Sequence, residues 1–322
     1  MVLAAMYIVF FQNEHFDVIL SDSISASLPV FRWFSKAKSV FYCHFPDKLL
    51  TKREGTAKVL YRKIIDAIEE YTTGKADVIC VNSHFTKGVV RQTFPSLASK
   101  ELTVLYPSLN TEFFDAIEVS DDIGEEIPSL AKFIFTSLNR FERKKNVKLA
   151  LDAFAQLKSL VTPSEFAQCH LVIAGGYDLK NPENSEYYTE LVHHVDDLNI
   201  PSNKVTFLRS PSDERKVNLI RKSRAILYTP DREHFGIVPV ESMYLGTPVI
   251  AVNSGGPCES VRNNETGYLI NQTADAFAAK MKILMENEET YKVLSEEGPR
   301  WVQKVFGFEA FVRQLDEIVL TS

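Results

Sequence analysis

Glu233-His234-Phe235-Gly236-Ile237-Val238-Pro239-Val240-Glu241 is followed by a short apolar run, then by Gly246-Thr247-Pro248-Val249-Ile250-Ala251-Val252 and Ser254-Gly255-Gly256-Pro257. The order reads as loop, helix, strand and second loop. Pro239 suits the first helical position, where its missing N–H would have no partner anyway. Glu241 then falls in the first turn, where a carboxylate complements the helix dipole. Gly246 is placed to end the helix, and the apolar run after it suits a buried parallel strand. One carboxylate, Glu233, is thus predicted just before the helix and a second, Glu241, just inside it. The backbone amides of Phe235, Gly236, Ile237 and Val238 lie between them, at a natural anion site.

Outward from this stretch, Asn139-Arg140-Phe141-Glu142-Arg143-Lys144-Lys145-Asn146 occupies another predicted strand-to-helix loop. Arg140 offers a planar fork for phosphate oxygens and Lys145 a compact charge. Basic residues at a helix start oppose the dipole, so a bound anion such as a diphosphate would offset them. Gly175 and Gly176 follow the apolar strand that begins at His170, and they permit close approach of a ligand to the backbone. The spacing is not that of a dinucleotide fingerprint, which argues against a nicotinamide enzyme. Two carboxylates eight residues apart also suit an acid/base pair of the glycosidase kind. Beside a phosphate-type site, they suit instead the hydroxyls of a sugar ring and of a ribose.

The rest of the chain alternates strand and helix. Strands are predicted over 17–21, 39–45, 77–82 and 102–106, then over 132–138, 170–174, 204–208, 225–229 and 247–252. Helices are predicted over 57–72, 146–160, 184–198, 212–223 and 239–245, with further helical patterns from 274 to 320. This is an α/β pattern of parallel sheets covered by helices. The acidic, polar stretch from Asp115 to Ser129 is the expected boundary. It divides residues 1–127, an incomplete first doubly wound domain, from residues 128–305, a complete second one, with a closing helix over 306–322. In such sheets ligands sit beyond the carboxyl ends of the strands. Three strands of the first domain end in polar residues there: Ser21-Asp22, Cys43-His44 and Val81-Asn82. His44 is a candidate for bonding a sugar hydroxyl, against a purely structural role.

The chain has 322 residues and a net charge of −6, which argues against a general nucleic-acid binder. The charge is uneven: residues 31–63 hold nine Lys or Arg against Asp47 and Glu54. The same segment contains Phe31, Trp33, Phe34, Phe41, Tyr42 and Phe45, a mixture that suits a membrane surface or a phosphate-bearing partner. The alternative is a solvated helix face beside a buried strand. The four cysteines are scattered, as in a reducing compartment. Residues 1–11 are almost wholly apolar but too short to span a bilayer. They are read as a helix packing on a sheet, or else as a segment dipping into one leaflet.

Glu233 and Glu241 as an E-x7-E motif, with Arg140 and Lys145 as the basic pair, resemble the retaining glycosyltransferases of family 4. The similarity is sharpest to those that build dolichol-linked oligosaccharides, the precursors of N-glycans. It extends over Tyr42-Cys43-His44-Phe45-Pro46-Asp47, Leu50-Thr51-Lys52-Arg53, Leu105-Tyr106-Pro107-Ser108-Leu109-Asn110 and Ala174-Gly175-Gly176-Tyr177-Asp178. The resemblance implies a GT-B fold of two Rossmann-like domains. It implies GDP-mannose as donor, a dolichyl-diphosphate oligosaccharide carrying one mannose as acceptor, and no metal. Arg140 and Lys145 would neutralise the donor diphosphate, Glu233 would hold mannose hydroxyls, and Glu241 the ribose. Gly175, Gly176 and the Phe235, Gly236, Ile237 and Val238 backbone would face the donor. His44 would face the mannose, and Lys52 and Arg53 would serve the acceptor side.

Further implications are the cytosolic face of the endoplasmic reticulum membrane and other oligosaccharide-assembly transferases as partners. Family members begin with a strand and glycine-rich loop that this chain lacks, so the first domain is expected to be shortened. Two alternatives remain: a shortened, non-transferring form that binds GDP-sugar or a partner, and a related transferase using another nucleotide sugar.

Overall fold

The computed structural model describes residues 1–12, 15–51, 55–120, 123–124, 127–128 and 131–320. The chain forms two compact units, one of residues 1–107 with 309–322 and one of residues 108–308.

The first unit holds a four-stranded, wholly parallel sheet in the order β1 (Val18–Asp22), β2 (Lys38–Cys43), β3 (Val78–Val81) and β4 (Leu102–Val104). Leu28, Phe41, Ile79, Val90 and Phe94 fill one face of the sheet. Val40, Cys80 and Leu105 fill the other, together with Ile318 from the closing helix, Phe308–Leu320. Lys38 Nζ donates to the carbonyls of Ile318 at 2.7 Å and Val319 at 3.2 Å, so a cation caps the end of that helix. The N-terminal apolar stretch is a helix, Val2–Phe11. It packs through Ala5, Ile8 and Val9 on Val30 and Phe31 of the helix Leu28–Phe34 and on Ile19 of β1.

The second unit holds six parallel strands: β5 (Phe133–Leu138), β6 (Cys169–Gly175), β7 (Val205–Arg209), β8 (Ala225–Tyr228), β9 (Val249–Val252) and β10 (Gly267–Ile270). Their order is β10-β9-β8-β5-β6-β7, the doubly wound order in which the chain reverses direction between β5 and its neighbour β8. Both β5 and β6 are buried along their whole length, which is why their sequences show apolar runs and not alternation. Helices Lys148–Leu160 and Ala274–Glu286 cover the sheet, with Phe135, Phe154 and Phe277 fully buried. Each such aromatic side chain contributes about 2–3 kcal/mol of burial.

Three details differ from the sequence reading. The units divide at Pro107/Ser108 and not at 127/128. The Arg221 guanidinium donates to the carbonyls of Phe114 and Ile117, and Asn218 to that of Glu118, so this segment packs on the second unit. The closing helix, expected as a separate piece, completes the first unit. A sixth strand, β10, adds to the five expected in the second.

Candidate active site

The reversal between β5 and β8 leaves a crevice beyond their carboxyl ends. Loop 139–147 leaves β5 there, and loop 229–236 leaves β8. Thr229 Oγ1 donates to the Lys145 carbonyl at 2.8 Å and ties the two loops together. The Lys145 ammonium forms an ion pair with Glu233 Oε2, and the two side chains are 11% and 19% exposed. Tyr228, at the end of β8, donates its hydroxyl to the same oxygen at 3.3 Å. Burial pushes the Glu233 carboxyl up. The hydrogen bond and charge of Lys145, with His234 and Tyr228, outweigh it and hold Glu233 below its ordinary range. Glu233 is therefore a fixed anion with one oxygen engaged.

The helix after this loop is Ile237–Tyr244, with Gly236 at its N-cap in the left-handed region at φ 80°. Its first turn begins two residues before Pro239, which takes the third helical position, where an amide would still lack an intrahelical acceptor. Glu241 consequently lies in the second turn. The Phe235 side chain is buried against Phe306, with ring centroids 5.6 Å apart, so only its backbone is available to a ligand.

A cavity of about 400 Å³ opens beside this helix. Asn139, Arg140, Gly175, Gly176, Ser210 and Pro211 line one side, and Lys216, Ile237, Val238 and Glu241 the other. Gly175 has φ 151°, and a Cβ there would stand 1.9 Å from the Asn139 carbonyl oxygen. A glycine is thus required for the loops after β5 and β6 to meet. Arg140 is largely exposed and pairs with Glu142 at 2.9 Å. Lys216 Nζ lies 3.2 Å from both oxygens of Glu241. Burial raises the Glu241 carboxyl above its ordinary value, and Lys216 offsets this only in part.

The sequence-predicted residues Arg140, Lys145, Gly175, Gly176, Glu233, Phe235, Gly236, Ile237, Val238 and Glu241 all surround the end of this one sheet. Two partners were not foreseen, Tyr228 and Lys216. Tyr228 is local to its strand, five residues before Glu233. Lys216 reaches Glu241 across 25 residues of sequence, and no short motif signals it.

In the first unit the polar strand ends also gather. His44 Nε2 and Asp22 Oδ1 are 2.7 Å apart, and Asn82 Nδ2 donates to the His44 carbonyl at 3.0 Å. His44 and Asp22 are both more than half exposed. Lys52 and Arg53 lie outside the described residues. Among the described residues, no three His, Cys, Asp or Glu side chains are grouped to hold a metal ion.

A doubly wound sheet, a basic loop after its first strand and paired carboxylates around a helix start define a glycosyltransferase of the GT-B class. The sequence profile of glycosyl transferases group 1 matches residues 121–301, and that of glycosyltransferase family 4 matches residues 3–113. Solved structures agree in fold. Sucrose-phosphate synthase from Thermosynechococcus elongatus superposes with a TM-score of 0.74 at 21% identity, covering 98% of this chain and 75% of that one. A glycosyltransferase from Rickettsia africae gives 0.75 at 20% identity, covering 99% and 80%.

The alpha-1,3/1,6-mannosyltransferase ALG2 of Homo sapiens is 46% identical over 316 residues, 98% of this chain and 76% of the human protein. That of Dictyostelium discoideum is 42% identical, covering 98% and 78%. This chain belongs to the alpha-1,3/1,6-mannosyltransferase family.

Proposed function

We propose that the chain transfers mannose, with retention of configuration, from GDP-mannose to the dolichyl-diphosphate-linked Man1GlcNAc2 intermediate. The first transfer forms an alpha-1,3 linkage and the second an alpha-1,6 linkage, at the cytosolic face of the endoplasmic reticulum membrane. The observation that carries this reading is the Lys145–Glu233 pair at the crevice where the second sheet reverses.

Arg140 and Lys145 place positive charge where the diphosphate leaves, lowering the cost of expelling GDP. First-turn amides of the helix from Ile237 add a fixed positive dipole. The carboxylate of Glu233 accepts hydroxyls of the transferred mannose, and Glu241 accepts those of the ribose. No metal enters this scheme. In the first unit, the His44–Asp22 pair is assigned to the sugar-facing side of the reaction, and Lys52 and Arg53 to the acceptor. Retention follows from family membership and not from the spacing of the carboxylates.

Purified protein incubated with radiolabelled GDP-mannose and a lipid-diphosphate Man1GlcNAc2 acceptor should yield two sequential mannosylated products. GDP binding by calorimetry with no product under any condition would instead mark a non-transferring form. Product from UDP-sugars and none from GDP-mannose would reassign the donor.

A further inference from the structure

The helix Thr56–Thr73 of the first unit is amphipathic in the reverse sense. Arg62, Asp66 and Glu69 face the protein. Arg62 is buried and pairs with Asp66 at 2.7 Å and with Asp47 at 2.9 Å. The Glu69 carboxylate accepts the backbone amides of Asp47 and Lys48. Thr72 shares a 2.7 Å hydrogen bond with Ser25. Its apolar residues face outward: Leu60 is 65% exposed, Ile64 59%, Ile68 46% and Tyr71 52%. These positions recur at helical spacing and form one stripe along about three turns. Leu49 and Leu50, in the short helix packed beside it, are also exposed.

An outward apolar stripe costs free energy in water, at roughly 25 cal/mol per Å². Its charge fringe bears on what would cover it. The exposed cation Lys63 borders the stripe, three residues from Leu60. Lys75 follows it, with its ammonium 4.4 Å from the Tyr71 ring centroid. The helix's carboxylates are turned away: Asp66 and Glu69 inward, and Glu70 onto the Ser96 amide. Protein interfaces deplete lysine, whereas a bilayer surface rewards it, because the stem lies along the acyl boundary while the ammonium meets anionic headgroups. No helix among the described residues is long and apolar enough to cross a membrane.

We propose that the outer face of helix Thr56–Thr73 docks in the headgroup region of an anionic lipid bilayer, lying in the membrane plane. The choice of a bilayer over a protein partner rests in part on the lipid-linked acceptor proposed above.

The test is co-sedimentation of the purified chain with vesicles of phosphatidylcholine alone and of phosphatidylcholine with about 30% phosphatidylserine. Wild type should pellet with the anionic vesicles, and 0.5 M salt should weaken binding severalfold. The triple variant Leu60→Glu, Ile64→Glu, Ile68→Glu should bind at least tenfold more weakly, and Lys63→Glu severalfold more weakly. GDP affinity and the circular dichroism spectrum should be unchanged in both, which reports that each variant folds. Equal vesicle binding by wild type and the folded triple variant overturns the proposal. So does a wild-type dimer that the triple variant converts to monomer without affecting vesicle binding. Transfer to an acceptor with a shortened, water-soluble lipid is measured in parallel. Inactivity there with vesicle binding intact counts against the transfer reaction and leaves the docking face standing.

Discussion

Lys216 holds the carboxylate of Glu241 symmetrically, its ammonium 3.2 Å from each oxygen, on the wall of the cavity beside the second unit's reversal point. The two glutamates of the motif therefore have separate lysines, Lys145 for Glu233 and Lys216 for Glu241. Their environments push them in opposite directions, Glu233 below and Glu241 above the ordinary carboxylate range.

Lys216→Met should raise the KM for GDP-mannose about tenfold, the scale of one charge-assisted hydrogen bond of ~1.5 kcal/mol, with kcat changed little. Lys216→Arg should restore most of the loss. A fall in kcat with unchanged KM would remove Lys216 from the donor-binding wall.

The acid side of the donor-binding profile should belong to Glu241. Its carboxyl is raised, so it takes up a proton at higher pH than Glu233 does as the solution is acidified. GDP affinity should fall in that range and the fall should vanish in Glu241→Gln, which binds weakly at all pH values. Calorimetric titration across pH 4.5 to 7.5 reads this directly. A limb that persists in Glu241→Gln assigns it elsewhere.

Glu233→Gln keeps an acceptor oxygen for Tyr228 but removes the charge opposite Lys145. Transfer should fall at least about a hundredfold, the scale for losing one preorganised electrostatic group, while GDP binding persists. Lys145→Ala should fall as far and also weaken GDP binding. Near-wild-type turnover in either variant excludes that residue from the reaction.

Gly175→Ala places a methyl group against the Asn139 carbonyl at a backbone angle that suits glycine. It should destabilise the second unit by about 1–3 kcal/mol and displace Arg140. Urea unfolding followed with GDP present and absent separates the two effects.

Asp77 joins β2 to the start of β3: it accepts the Ser39 amide at 2.8 Å and the Ser39 hydroxyl at 2.7 Å. Burial raises its carboxyl, but these bonds, with Arg32 and Lys100, outweigh burial and hold it below its ordinary value. A depressed carboxyl contributes stability present above its unfolded pKa of about 3.9 and lost as pH falls through the folded value. Asp77→Asn should therefore cost stability at pH 7 and unfold with a shallower acid dependence below about pH 4. An unchanged acid-unfolding curve assigns that dependence to other groups.

Much of the second unit was legible because its signals are local. Glu233, Gly236 and Glu241 lie on one loop and helix, and an apolar run such as Phe133–Leu138 marks a strand buried on both faces. The helix start shifted by two residues because Gly236, with its positive φ, caps it ahead of Pro239. Strand β10 escaped notice because Gly267–Ile270 opens on a glycine between two polar runs, Asn263-Asn264-Glu265-Thr266 and Asn271-Gln272, and so shows no long apolar signal. The acidic stretch after Asp115 was recognised, but its allegiance is decided by Arg221 and Asn218, about a hundred residues away. The Lys216–Glu241 pair is hidden for the same reason. Helix Thr56–Thr73 was foreseen as an element, yet which of its faces turns inward depends on where Asp47 and Ser25 are placed.

The first sheet is covered on one face by Ile318, from the last turns of the chain. During synthesis, β1 to β4 therefore emerge long before their own lid. The second unit, residues 108–308, is continuous and takes no segment from either side of it. Until the segment that carries Ile318 is made, Val40, Cys80 and Leu105 lack that cover.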